Sequence, residues 1–348
     1  MNFRSKLPSK ESLEVFDPAS DVFCVNFDCN YIFQAKEMLE SLTAYAHDPM
    51  IFLLALDEEV VSWAKNLSSS RIKILTLDEI LEVYPSLRHT RSSRSHAEFI
   101  FSLKTFLVDF CLKKNKEISS VSYIDVDVRF YSSVIPIYQE LKGYDVGLSP
   151  HGFTDKQTKL LRYGQFNAGW VYFRNSENSL EILRYWQGKV IESCEDVPRN
   201  GRFAEQKYLD DFPILFKKVR VVENPGVNVG PWSLAHKSIA INNVGKLTVN
   251  GHPLIFFHFH GLRFRGNRVF CNLSTYGYKL DNISRNYIFL PYAQSLVSDG
   301  KNSPRSQSKG GRGGSKPRIM MRRTKIFAKD LLARSNNDSI ILDRKLWK

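Results

Sequence analysis

The 348-residue chain has few cysteines, no long apolar run and no glycine-rich loop where a nucleotide site would show one. The five cysteines (Cys24, Cys29, Cys111, Cys194 and Cys271) are odd in number and scattered, with no CxxC pair. That excludes a disulfide framework and a cysteine zinc site, and implies reduced thiols in a cytoplasmic setting. No stretch of about 18 apolar residues is present, so no segment is expected to span a membrane. The first twenty residues lack the apolar core of a secretory signal. No internal repeat is visible. With 43% hydrophobic and 24% charged residues, the composition is that of a folded domain and excludes wholesale disorder.

Charge is unevenly placed. The net charge is +13, yet 14 of the 49 Lys and Arg fall at 299–348 beside only 4 of the 36 acids. The other 298 residues hold 35 basic against 32 acidic side chains and are close to neutral. Any attraction to a polyanion therefore belongs to the tail. Residues 299–317 (DGKNSPRSQSKGGRGGSKP) read as a flexible linker. Residues 318–348 read as a basic tail, with an amphipathic helix over Arg318–Arg334 suited to an anionic membrane surface.

Between a loose arm (1–20) and the linker, residues 21–298 read as one domain. Apolar runs at Asp21–Asn26, Ile51–Leu56, Ile72–Leu75 and Val121–Ile124 have the length and β-branching of buried strands. Helical spacing separates them, at 33–46, Glu58–Leu67 and Phe99–Leu112. This alternation predicts an α/β fold with a mostly parallel central sheet flanked by helices. Further strands are expected at Asp145–Ser149, Gly169–Phe173 and Leu254–His260. Helices are expected over Ser179–Glu192 and over Asn286–Leu296, the latter broken by Pro291. Ligands in such folds bind beyond the carboxyl ends of the strands. Asn26–Tyr31 and Asp125–Asp127 stand at two such ends.

Asp125 and Asp127 sit two apart after a strand, with both carboxylates on one side. Paired hard oxygen ligands suit Mg²⁺ or Mn²⁺ and leave positions open for a diphosphate. The segment Tyr123–Phe130 (YIDVDVRF) resembles the strand-then-DxD element of GT-A glycosyltransferases. The chain is similar to the retaining family that contains glycogenin and bacterial lipooligosaccharide galactosyltransferases, and closer still to uncharacterised bacterial glycosyltransferase-like proteins. The resemblance covers roughly residues 21 to 275 and implies a GT-A fold.

The remaining motifs take their roles from that resemblance. Asp28, Asn30 and Tyr31 (DCNY) would bind the donor base, by edge hydrogen bonds and stacking. Lys104 would help hold the donor. Asn167 of FNAG (Phe166–Gly169) would face the transferred sugar or acceptor. Glu205 and Gln206 (GRFAEQKYLDD, from Gly201) match the family's D-Q-x-x-L with glutamate for aspartate. Glu205 would bind donor hydroxyls and Gln206 would sit at the far face of the anomeric carbon, with Glu205 or Asp210 open as nucleophile. His258 of HFHG (His258–Gly261) would complete the metal site with Asp125 and Asp127. Strand alternation leaves His260 open, and the family register favours His258. The family's Lys-Pro-Trp after Gly261 is missing, so Arg263 or Arg265 would take the diphosphate. NPGVNVGPW (Asn224–Trp232) would line the acceptor side or pack through Trp232, and His151 would lie near the donor sugar.

The implied activity is transfer from a nucleotide sugar, expected to be a UDP-sugar, to a hydroxyl on a glycan or lipid-linked acceptor. Mn²⁺ or Mg²⁺ would assist, with retention, in surface polysaccharide or glycolipid synthesis. The enzyme would be cytoplasmic and peripheral on the inner face of the membrane. Two alternatives are an RNA-binding protein acting through Lys309–Gly314 and the tail, and a non-catalytic GT-A fold. The first leaves the DxD, FNAG and HFHG segments without a role, so nucleic acid is not the expected partner. A sugar nucleotidyltransferase would need a Gly-rich basic loop after strand one, and DCNYIFQAKE has none.

Overall fold

The computed structural model describes residues 21–67, 69–114, 117–297 and 338–343. The expected arm at 1–20, the linker and most of the basic tail lie outside them. The chain runs β1 (Val22–Phe27), α1 (Ile32–Tyr45), β2 (Met50–Ala55), α2 (Glu58–Lys65), β3 (Ile72–Thr76), α3 (Leu77–Val83), α4 (Ser86–Ser93) and α5 (His96–Lys114). It continues through β4 (Ser120–Ile124), β5 (Val128–Phe130), α6 (Ile135–Leu141), β6 (Val146–Pro150), β7 (Phe166–Arg174), α7 (Glu177–Glu192), α8 (Phe212–Leu215) and β8 (Val219–Val221). Short strands follow: β9 (Ile239–Ile241), β10 (Leu247–Val249), β11 (His252–Pro253), β12 (Phe256–His258), β13 (Arg263–Arg265) and β14 (Arg268–Phe270). The last elements are α9 (Leu290–Ser295) and β15 (Ser339–Ile341).

Seven strands form the central sheet in the order β3-β2-β1-β4-β7-β6-β8. Only β7 runs antiparallel to its neighbours β4 and β6; the other pairs are parallel. The expected α/β architecture is therefore present. Alternate residues of β1 enter two different cores. Val22 and Cys24 pack with α5 and α7, while Phe23, Val25 and Phe27 pack with α1, α2 and α6. Burial on both faces explains why the strand is a continuous apolar run rather than an alternating one. The five cysteines are free thiols, four of them buried. No described helix is long and apolar enough to cross a membrane.

After β1 the chain moves one way, to β2 and β3, and then returns to lay β4 on the other side of β1. A crevice opens at such a reversal, beyond the carboxyl ends of β1 and β4. Asp28 and Asp125 follow those two ends directly.

Three expectations differ from the structure. The strand expected at Gly169–Phe173 starts three residues earlier, so FNAG forms the first four residues of the nine-residue β7. It therefore places Asn167 and Gly169 on one face. The strand expected over 254–260 is confined to Phe256–His258, which pairs with β5. Pro291 does not break the last helix: a π-helical turn at Ser284–Phe289 leads straight into α9, with Pro291 in its first turn.

The end of the basic tail also holds a surprise. Ser339–Ile341 pairs antiparallel with β14, and Ile340 and Leu342 are buried in a third core with Phe257, Phe259 and Tyr292. Asp338 accepts from the Ser274 backbone N–H at 2.8 Å. Truncation after Asn337 should therefore lower the unfolding free energy by about 3 kcal/mol or more, since each buried aliphatic side chain contributes roughly 1.5–3 kcal/mol. Urea denaturation of the two chain lengths measures it, and equal midpoints would show that the segment does not dock.

Candidate active site

The turn after β4 carries Asp125 and Asp127. It is held to β7 by Asp125 N–H donating to Gly169 O at 2.9 Å, and to the end of β12 by Phe259 N–H donating to Asp127 O at 2.7 Å. The β5–β12 ladder sets Val128 opposite His258. That register decides which residue faces the acids, because a slip of one would put Phe257 there instead. His258 Nε2 lies 3.0 Å from Asp127 Oδ1 and 3.9 Å from Asp125 Oδ2. Ligand atoms of Asp127, His258 and His260 all lie within 4.8 Å of one another. The pair left open by strand alternation is thus gathered as a pair, His258 buried and His260 exposed.

Burial opposes a charge on His258, but the adjacent Asp127 carboxylate outweighs it and raises the imidazole above its ordinary value. Burial likewise works against an ionised Asp127, and His258 overcomes it, pulling the carboxyl down to about 2. One carboxylate and two imidazoles make a mixed oxygen and nitrogen donor set that fits a divalent cation, while Asp125 stands outside this group, with Oδ1 on Lys104 and Tyr123. Imidazole ligands favour Mn²⁺ over Mg²⁺.

Lys104 departs furthest from what its sequence context suggests. A lysine on a helix usually reaches water, yet this one is buried, with Nζ 2.9 Å from Asp125 Oδ1 and 2.8 Å from Glu205 Oε1. It also donates to Ala168 O at 3.3 Å and lies over the Tyr123 ring. Burial disfavours its charge, but the two carboxylates more than compensate and raise its pKa. Tyr123 OH donates to the same Asp125 oxygen at 2.9 Å. Glu205 is only 3% exposed, and its carboxyl is raised by burial. Its Oε2 is buried and has no hydrogen-bond partner among the described residues.

Gln206 opens the one-turn helix Gln206–Asp211. Its Oε1 accepts from Ala168 N–H at 3.0 Å and from Asn167 Nδ2 at 3.2 Å, and its Nε2 donates to Tyr163 O at 2.8 Å. Asp210 is placed apart from the carboxylate cluster, accepting from Gln165 N–H at 2.7 Å and pairing with Lys207. Asn167 is buried among Gly169, Asn228, His258, His151 and Gln206. At the other strand end, Asp28 Oδ1 accepts from both the backbone and side-chain nitrogens of Asn30 at 3.0 Å. The Tyr31 phenol is raised by burial and by the Asp127, Asp28 and Asp125 charges. Gly261 holds a left-handed φ of 73°, and a Cβ there would come within 2.5 Å of Asn272 Nδ2. Arg263 donates to Gly261 O at 3.3 Å and lies over Phe270.

Sequence reasoning missed His96, the first residue of α5, whose Nε2 is 2.8 Å from Asp28 Oδ2. Hydrogen bonding to Asp28 raises its pKa. It missed Tyr123 as a partner of Asp125, although the tyrosine lies two residues before it on the same strand face. It also missed Asn228 as a partner of Asn167. His151 is buried, stacked on Phe153 and edge-on to Trp232.

Two consequences are measurable. Lys104→Ala would strand two carboxylates in the interior and should cost about 3–5 kcal/mol; chemical denaturation reads it, and a change under 1 kcal/mol would mean the carboxylates find water. Burial lowers His151 to about 3 from an ordinary 6.5. The unfolded chain therefore binds a proton there that the folded chain refuses, so this contribution to stability is full above pH 6.5 and is lost as pH falls toward 3. The stability difference between wild type and His151→Phe should shrink on acidification from pH 7 to pH 5, and a pH-independent difference would contradict it.

No family model matches the chain. It is 27% identical over 252 residues to the uncharacterized protein YfnF of Bacillus subtilis (strain 168), a match covering 70% of this chain and 82% of that protein. YfnD of the same organism is 25% identical over 269 residues, covering 76% and 85%. Among solved structures, apo mouse xyloside xylosyltransferase 1 aligns with a TM-score of 0.46 at 12% identity, over 70% of this chain and 98% of that one. The galactosyltransferase LgtC in complex with donor and acceptor sugar analogs aligns with a TM-score of 0.43 at 18% identity, over 69% and 87%. Both solved neighbours are glycosyltransferases, the class that the sequence motifs resemble.

Proposed function

We propose that the chain is a metal-dependent glycosyltransferase that moves a sugar from a nucleotide diphosphate donor, a UDP-sugar, to a hydroxyl of a glycan or lipid-linked acceptor. The observation that carries this reading is the convergence of Asp125, Asp127 and His258 at the end of β4, beside the buried Lys104–Glu205 pair. A site that gathers a cation and a phosphate next to a hydroxyl-binding acid is what such a transfer requires.

Asp127, His258 and His260 would hold the divalent cation, with Asp125 completing the set. When bound, the cation neutralises charge on the leaving diphosphate. Asp28, Asn30 and Tyr31 would receive the nucleoside at the neighbouring strand end. The unpaired Oε2 of Glu205 would accept from donor hydroxyls, its other oxygen being held by Lys104. Lys104 serves this site by fixing the two carboxylates, since its ammonium is already shared between them. Gln206 would border the anomeric carbon. An amide is a poor nucleophile, and Glu205 is engaged by the ammonium. That favours a route in which the leaving phosphate oxygen takes the acceptor proton and configuration is retained. A place in surface polysaccharide or glycolipid synthesis, on an anionic membrane surface, is supported by the basic composition of 299–348.

A nucleotide-sugar panel with Mn²⁺ or Mg²⁺, scored for released nucleoside diphosphate, tests this. One donor should turn over only with metal, and Asp127→Ala should reduce the rate by at least about a thousandfold, the scale of losing an electrostatic stabiliser. Failure of every nucleotide sugar to turn over or to bind in a thermal-shift assay would overturn the reading.

A further inference from the structure

We propose that Asn167 and Asn228 are positioning residues that orient the metal-binding imidazole of His258; the inference rests on the metal site proposed above. Asn167 Oδ1 accepts from the Gly169 backbone N–H at 2.9 Å, which identifies that atom as the carbonyl oxygen. The same oxygen accepts from Asn228 Nδ2 at 3.0 Å and faces His258 Nδ1 at 3.2 Å. An amide oxygen carries no proton, so Nδ1 must be the donor. In the neutral ring Nε2 is then the free lone pair, and it is Nε2 that faces Asp127. Metal-ligating histidines are generally fixed in this way, through the nitrogen that does not bind.

The nitrogen of the Asn167 amide is equally committed. Its two N–H groups meet Gln206 Oε1 at 3.2 Å and His151 Nε2 at 3.3 Å. The side chain thus spends its hydrogen-bonding capacity on the protein, not on a sugar. Packing holds the ring as tightly as the hydrogen bond does. A Cβ on Gly169 would lie 2.3 Å from His258 Cε1, so the ring rests against a bare Cα, with Trp232 edge-on at 5.3 Å. Asn228 is 1% exposed and sits at a left-handed φ of 47°, which asparagine tolerates. The next residue accepts the His258 backbone N–H through Val229 O at 2.7 Å. The NPGVNVGPW segment therefore grips His258 by main chain, by Trp232 and, through Asn167, by side chain.

The test is Mn²⁺ affinity of the full-length protein without donor, by electron paramagnetic resonance, with nitrogen coupling as the signature of the bound imidazole. Asn167→Leu should weaken Mn²⁺ binding about 10- to 100-fold and diminish the nitrogen coupling. Asn167→Asp gives up the bonds to Gln206 and His151 but keeps an acceptor for Nδ1, so it should weaken Mn²⁺ binding less than Asn167→Leu and retain the nitrogen coupling. Asn228→Gly removes the donor without straining the backbone and should fall between them; it keeps the proposal testable if Asn167→Leu melts. Wild-type Mn²⁺ affinity and coupling in Asn167→Leu, with a raised KM for the donor, would overturn the proposal and make Asn167 a sugar contact. A wild-type protein that takes up no Mn²⁺ would overturn it too, and would remove the metal reading as well.

Discussion

One buried ammonium organises the site. Lys104 comes from α5, Asp125 from the end of β4 and Glu205 from the loop after α7, and the three meet with Nζ within 2.9 Å of both carboxylates. None of the three could be buried alone, since an unpaired interior charge costs several kcal/mol. Together they are tolerated, but only in one arrangement. The triad therefore contributes little net stability and a great deal of positional order. Remove the ammonium and two carboxylates repel inside a crevice; remove Glu205 and Lys104 pulls on Asp125 alone. Asp125 is at once a member of this triad and a neighbour of His258, so order in the triad is passed to the metal-binding side.

The side carrying Asp127 and His258 is ordered by the opposite charge logic. Asp127 and His258 lie 3.0 Å apart, and each favours the charged form of the other, lowering the one pKa and raising the other. A divalent cation held by both, as proposed, would compete with a proton for Nε2. The Nδ1 proton can remain, because Asn167 accepts it. A metal at Nε2 would then need no rotation of the ring, which Gly169 and Trp232 hold in place.

How much of this was legible follows from the range of each interaction. The sheet was readable because parallel strands buried on both faces leave continuous apolar runs, as in VFCVNF and IFLLAL. Asp125 and Asp127 were readable because both follow one such run directly. His258 was readable only through its motif, since its approach to Asp127 depends on the β5–β12 register, which local sequence does not encode. Lys104 was seen as a position and not as a buried charge, because α5 is buried on all sides from Ser102 to Leu112 and part of what covers it, Glu205 included, comes from much later in the chain. The strand was expected to begin only at Gly169 because Asn and Gly favour turns. In the fold they occupy a strand, where Asn gives hydrogen bonds and Gly gives room. The docked strand at the end of the tail was hidden by its surroundings: three apolar residues within a basic stretch carry no periodicity.

Glu205 in place of the family's aspartate shows how the fold absorbs a departure. The residue before it, Ala204, is buried at a φ of 44°, a left-handed conformation that costs a residue with a Cβ about 1–3 kcal/mol. That conformation persists because both sides are fixed: Ala204 N–H donates to Glu195 O at 2.8 Å, and Glu205 O accepts from Trp186 Nε1 at 2.8 Å. The backbone of position 205 is thus held by the α7 side of the core, not by the triad. From a backbone fixed there, reach is set by side-chain length. Glutamate places one oxygen on Lys104 and leaves the other unpaired beside it. An aspartate would be shorter by a methylene and would have to give up the ammonium or draw the strained loop inward. The substitution is therefore matched to this loop, and the unpaired oxygen it leaves is the group with which the site would read the hydroxyls of its sugar.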